Sequence, residues 1–281
     1  MPTTHLLGVF LALISASSWG AGDFGGGVAS RRLHPFQTLA LVAPAAWVAL
    51  MLGAFARGEG LPSVLSCIWA GAAGLAGALG TAALYRGLSL GNSALVSPVA
   101  AVIGAGIPVV FGVALEGLPN VPQLAGFAAG LAGIWMVASM ADDQPSGQSR
   151  GAWLALAAGL GFGAFFLLIA QVEPGAVFVP LAIVKAVAFA VANICVRWRG
   201  LSLPSLRGNG VALAAGVLDA GGNAFYLLAR QYTRLDVAVV LSSMYPAVTV
   251  LLASMALHER VSARQWVGVL LCVAAVALIA L

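Results

Sequence analysis

The chain has 281 residues, 61% of them hydrophobic and 8% charged, with a mean hydropathy of +1.02. Soluble domains carry about 25% charge, so this composition excludes a soluble globular protein and points to a chain whose solvent is the bilayer. The net charge of +4 comes from arginines flanking apolar segments, which suits anchoring to lipid head groups and gives no sign of nucleic-acid binding.

A spanning helix needs about 20 apolar residues. Ten segments meet that length, at roughly 6–30, 36–56, 64–90, 93–115, 121–140, 151–172, 175–196, 209–231, 235–257 and 263–281. Alternating strand patterns are absent, so helices satisfy the backbone polar groups in lipid. The first span lacks a basic leader and is followed by nine more, which argues against a signal peptide. It carries "SSWGAGDFGGGVASRR" (17–32), with Trp19 and Asp23 one turn apart. The third carries the small-residue run "GAAGLAGALG" (71–80), suited to close helix contacts, and then Tyr85 and Arg86. The fourth contains Pro98 and Pro108 and ends at Glu116. A polar linker, "ADDQPSGQSR" (141–150), follows the fifth. The ninth holds "LSSMYPAVT" (241–249), with Ser243 and Tyr245 beside Pro246.

The two sides of the linker match. Residues 11–20, LALISASSWG, align with 154–163, LALAAGLGFG, at an offset of 143. Arg86 pairs with Arg230 at 144, and Glu116 with Glu259 at 143. The expected fold is an all-α integral membrane protein of ten transmembrane helices, built as two inverted five-helix repeats. The first covers residues 1–140 and the second 151–281, with 141–150 as the inter-repeat loop. An odd number of spans per repeat inverts the second copy, and transporters of this plan place their site between the repeats near the midplane.

Five charges fall inside spans: Asp23, Arg86, Lys185, Asp219 and Arg230. Each costs at least about 2.5–3.5 kcal/mol at a helix centre. Arg86 and Arg230 lie near span ends, where a long side chain can reach the interface. Lys185, the only lysine, and Asp219 each lie about nine residues into a span, roughly 14 Å. Asp219, Asn223, Tyr226 and Arg230 follow at i, i+4, i+7 and i+11, which makes one polar stripe. Two readings stay open. Lys185 and Asp219 form a static pair that orients helices, or they line a cavity and bind a solute or a proton. Trp19, Asp23, Tyr85, Arg86, Ser243 and Tyr245 are candidates to complete such a cavity. Against that, Trp and Tyr often anchor at interfaces, and membrane hydroxyls often bond their own backbone. Glu116 and Glu259 read as helix-end contacts. Cys67, Cys195 and Cys272 read as small core residues.

The chain has no HExxH, P-loop, GxSxG elbow or clustered His/Cys site. No cofactor, metal or enzymatic activity is expected. Without a P-loop the chain cannot drive itself with ATP.

The ten-span plan, "LYRGLSLGNSALVSPVAAVIGAGIPVVFGVALEG" (84–117) and "SSMYPAVTVLLASMALHERVSARQWVG" (242–268) resemble the EamA-like branch of the drug/metabolite transporter superfamily. The resemblance covers nearly the whole chain. It implies a central cavity lined by spans one, three, four, six, eight and nine. It also implies export or exchange of small metabolites, such as amino acids, across the bacterial inner membrane, with both termini cytoplasmic. The arginines point the other way. Eight lie on the side away from the termini and two, Arg57 and Arg234, on the terminal side, which by the positive-inside rule puts the termini outside.

The function expected is a secondary transporter working by alternating access, with a small solute as partner and the proton as a candidate coupling ion, as a monomer or homodimer. Two alternatives are a membrane scaffold or receptor whose stripe only packs helices, and a membrane enzyme on a lipid-linked substrate.

Overall fold

The computed structural model describes residues 2–30, 32–89, 93–138, 148–257 and 262–279. Eleven helices run through them: α1 (Pro2–Ser30), α2 (Pro35–Arg57), α3 (Val64–Ser89), α4 (Ser93–Glu116), α5 (Val121–Ala138), α6 (Gln148–Ile169), α7 (Phe178–Trp198), α8 (Gly210–Tyr232), α9 (Leu235–Ser242), α10 (Tyr245–Leu257) and α11 (Ala263–Ile279). No strand occurs among the described residues. Seven segments are long and apolar enough to cross a membrane, and Val121–Met136, Trp153–Ile169 and Ala263–Ile279 are shorter apolar helices. Large apolar side chains such as Phe55, Leu61 and Trp198 stand almost fully exposed, as a lipid-facing surface requires. The chain is a multi-pass membrane protein.

One expected element differs. The ninth span is two helices, broken at Ser243–Met244. Pro246 lacks an N–H and its ring clashes with a helical carbonyl one turn back, a conflict that a first-turn position avoids. It takes the second position of α10. At the break, Ser243 N–H still donates to Val239 O at 2.8 Å, while Met244 N–H donates to Leu241 O, the tighter i−3 pattern. Pro98 and Pro108, by contrast, do not interrupt α4. Of the polar linker, Gln148–Arg150 already belong to α6, and 141–147 lie outside the described residues.

Helices pair through small residues. α1 lies on α8, α3 on α6, α4 on α6, α2 on α7 and α5 on α11, while α2 also touches α8 and α3 touches α7. At the α3–α6 crossing a Cβ on Gly161 would lie 2.6 Å from Gly80 Cα. On Gly216 it would meet Val42 O of α2, and on Gly222 the indole of Trp19. Without a hydrophobic drive between helices in lipid, such backbone contact is the main source of packing energy. Ser15 Oγ adds a 2.7 Å hydrogen bond to Gly222 O across the α1–α8 contact.

α7 is fixed at its start by a glutamate from another element. Gly58, at φ 65°, ends α2 in a left-handed turn. Glu59 then accepts from Val177, Phe178 and Val179 N–H at 3.0, 3.0 and 2.9 Å. This supplies three of the N–H groups a helix start leaves unpaired, and places a negative charge at the positive end of the helix dipole.

Candidate functional site

α7 carries Lys185 seven residues from its start, about 10 Å along the axis. α8 carries Asp219 nine residues from its own start, about 14 Å along. α2 packs on both helices and sets them side by side. Lys185 Nζ and Asp219 Oδ2 meet at 2.6 Å, with side-chain exposures of 13% and 27%. The pair is therefore neither sealed in the core nor free in water. Asn223 Nδ2 donates to Asp219 Oδ1 at 3.0 Å and to Asp219 O at 2.7 Å. Both carboxylate oxygens of Asp219 thus have a donor, and Asn223, itself buried, has its amide engaged.

Asp23 joins this group from α1. The α1–α8 contact puts Gly22 against Asp219, where an added Cβ would lie 3.3 Å from Asp219 N. Asp23 is exposed and lies within electrostatic reach of both Asp219 and Lys185. Two carboxylates and one ammonium therefore share one region.

Aromatic rings form a wall beside it. Trp19 stacks on Tyr226 at 6.0 Å and meets Phe166 and Tyr245 edge-on at 5.9 and 6.3 Å. Phe166 meets Tyr226 edge-on at 5.0 Å. Tyr226 is fully buried, and its Oη donates to Phe166 O at 3.4 Å. These rings join α1, α6, α8 and α10. Trp19 thus packs inside the bundle against rings from three other helices. Tyr245 is close enough to feel the charge of Asp23. The hydroxyls divide. Thr81 Oγ1 bonds its own helix at Gly77 O, whereas Ser242 Oγ crosses to Ala12 O. Thr249 Oγ1 bonds both Gly20 O and Tyr245 O. Ser243 is buried at the α9–α10 break.

Of the expected site residues, the structure brings together Asp219, Lys185, Asn223, Asp23, Trp19, Tyr226 and Tyr245. Arg230 does not join them. Eleven residues along α8 carry it about 16 Å from Asp219, where its Nη2 meets Glu116 Oε1 at 3.1 Å. Tyr85 and Arg86 lie in α3, and their side chains are outside the described residues, as is Glu259.

Arg230 instead belongs to a second charged group at the end of the bundle that holds the N-terminus. Arg234 Nη2 and Asp236 Oδ2 lie 2.8 Å apart, and Asp236 is completely buried. Hydrogen bonds from Arg234 to Asp236 hold its guanidinium even more firmly protonated than usual, against the opposing cost of burial. His5 bridges Thr233 Oγ1 at 3.0 Å and Ile279 O at 3.1 Å. An open cleft of about 400 Å³ lies over Glu116, Arg230 and Arg234. Sequence reasoning does not single out Arg234, Asp236 or His5 as site residues. The signal for the first two is the pattern Arg-Leu-Asp, an acid in the first turn of a helix with a cation two residues before it.

Among the described residues no group of His, Cys, Asp and Glu could hold a metal ion, and all three cysteines are free.

None of the curated proteins compared matches the chain at a significant level. A crystal structure superposes with a TM-score of 0.74 at 20% identity, covering 98% of this chain and 96% of that one. This likeness is one of fold. Residues 149–281, the second half of the chain, match the EamA-like transporter family, in keeping with the drug/metabolite transporter superfamily that the sequence resembles.

Proposed function

We propose that this protein is a secondary transporter, an exporter or exchanger of a small polar or amphipathic metabolite such as an amino acid. The observation that carries the reading is the partly exposed Lys185–Asp219 pair, placed well inside its helices and within electrostatic reach of Asp23. A pair that exchanges partners with a solute cannot be sealed in the core, and this one is not. Lys185 offers a cation to a solute carboxylate, and Asp219 and Asp23 offer anions to a solute ammonium or to a proton. Trp19 and Tyr245 supply an apolar wall, with aromatic faces suited to a cation.

The packing supports two inverted repeats, residues 1–140 and 151–281, and ten spans, with α9 and α10 forming the ninth. Exchanging the halves turns α1 on α8 into α6 on α3, and α2 on α8 into α7 on α3. It turns α2 on α7 and α5 on α11 into themselves. Rocking of one unit against the other would expose the site alternately to each side. The compartment proposed is the bacterial inner membrane.

Proteoliposomes loaded with labelled amino acids test the reading. Efflux by the wild type should depend on Lys185 and Asp219 and disappear in Lys185→Met and in Asp219→Asn. Efflux retained in both variants would overturn the assigned site.

A further inference from the structure

We propose that α9 is the gate at the terminal end of the bundle, latched by Arg234 onto the C-terminus of α4. The inference rests on the transport reading above.

Arg234 precedes the first residue of α9 and reaches across to another helix. Its Nη1 donates to Glu116 O at 3.1 Å and its Nη2 to Gly117 O at 2.7 Å. These are carbonyls at the end of α4, which carry the negative end of the helix dipole. Leu235 N–H donates to Glu116 Oε1 at 3.4 Å. Behind this contact all eight residues of α9 are buried, so α9 plugs the bundle. Gly112 lets α4 come close, since a Cβ there would lie 3.2 Å from both Cβ and N of Asp236. At its other end α9 stops at the Ser243–Met244 break, where Pro246 follows and the i−4 ladder is already interrupted. A short rigid piece with a polar latch at one end and a helix break at the other can swing.

The charges are arranged so that opening strands none of them. Asp236, the buried carboxylate, is held by Arg234 two residues before it, on the same moving piece. Glu116 is held by Arg230, on α8, which stays. Opening breaks the Arg234 bonds to the α4 carbonyls and the Leu235–Glu116 bond, and leaves each carboxylate with its own arginine. Arg230, Arg234 and Glu116 are 32%, 23% and 26% exposed, so water can take over the broken contacts, and such partly exposed links are individually weak.

The test is an accessibility measurement on the full chain. Cys67, Cys195 and Cys272 are changed to alanine, and Val239→Cys places a thiol in the middle of α9. The labelling rate by a water-soluble maleimide is measured in detergent. Arg234→Gln/Asp236→Asn together remove the latch without stranding a charge, and the rate should rise about tenfold. Arg234→Lys keeps the charge beside Asp236 but loses the two-carbonyl fork, and should give an intermediate rate. Glu173→Gln, at the carboxylate that accepts from Ser63 N–H, should leave the rate unchanged. A rate equal to the parent's in the double variant, or in Arg234→Lys should the double variant not fold, overturns the gate. Labelling requires no solute, so the gate stands if labelling rises while no solute moves, and the transport reading then fails by itself. Transport with unchanged labelling fails the gate alone.

Discussion

Removing one partner of the Lys185–Asp219 pair should cost more than removing both. At 2.6 Å and an effective dielectric near 20, the Coulomb attraction is about 6 kcal/mol before desolvation is subtracted. Breaking a fully buried pair costs about 3–5 kcal/mol, because it leaves an uncompensated charge. Here the side chains are 13% and 27% exposed, so water recovers part of that loss, and about 2–3 kcal/mol is expected for Lys185→Met. That corresponds to a fall in Tm of roughly 5–10 °C for a chain of this size. The double variant Lys185→Met/Asp219→Leu should recover to within about 1 kcal/mol of wild type, since apolar replacement of a buried pair is often neutral. The assay is a double-mutant cycle on thermal unfolding in detergent, with solute binding measured on the same four proteins. Additive single losses, with no recovery in the double variant, would refute the claim that these two groups interact mainly with each other. A stable double variant that still binds solute would refute their role in the site.

Gly222→Ala puts a methyl group into the Trp19 indole, and should cost about 1–3 kcal/mol by overpacking, read as a lower Tm. Glu59→Ala strips three acceptor contacts from the start of α7 and should cost about 1–2 kcal/mol; loss of solute binding with only a small Tm change would show that α7 has shifted Lys185. His34 accepts from Phe36 N–H through Nδ1, and burial, with the Arg199 charge, pushes its pKa below 6.5. A depressed pKa means that the cap contributes above pH 6.5 and is lost as pH falls through the lowered value. The Tm of the wild type should therefore drop on acidification below pH 6.5, and that component should vanish in His34→Asn, which caps without titrating in this range.

Lys185 and Asp219 were legible in the sequence as charges in the middle of long apolar segments, where they are too costly to be incidental. Asn223 was legible through its i+4 spacing, which Asp219 uses for two bonds. Arg230 was legible only as to face. Helical periodicity tells which side a residue points to, but a residue about 16 Å further along the axis meets other partners. The α9–α10 break escaped detection because hydropathy runs evenly across it, and Pro246 alone does not break a span, as Pro98 and Pro108 in α4 demonstrate. Arg234 and Asp236 were hidden by their position at a span boundary, where charges are ordinarily solvated. Only tertiary packing shows that Asp236 is completely buried.

The most direct test of the solute site is a thermal-shift screen of purified wild type and Asp219→Asn against amino acids, sugars, nucleosides and organic cations. A solute at about 100 times its Kd adds roughly 2.7 kcal/mol to the folded state. At least one solute should raise the Tm of the wild type and leave that of the variant unchanged. Solutes that shift both proteins equally, or no shift from any of them, would contradict a solute site at Lys185 and Asp219.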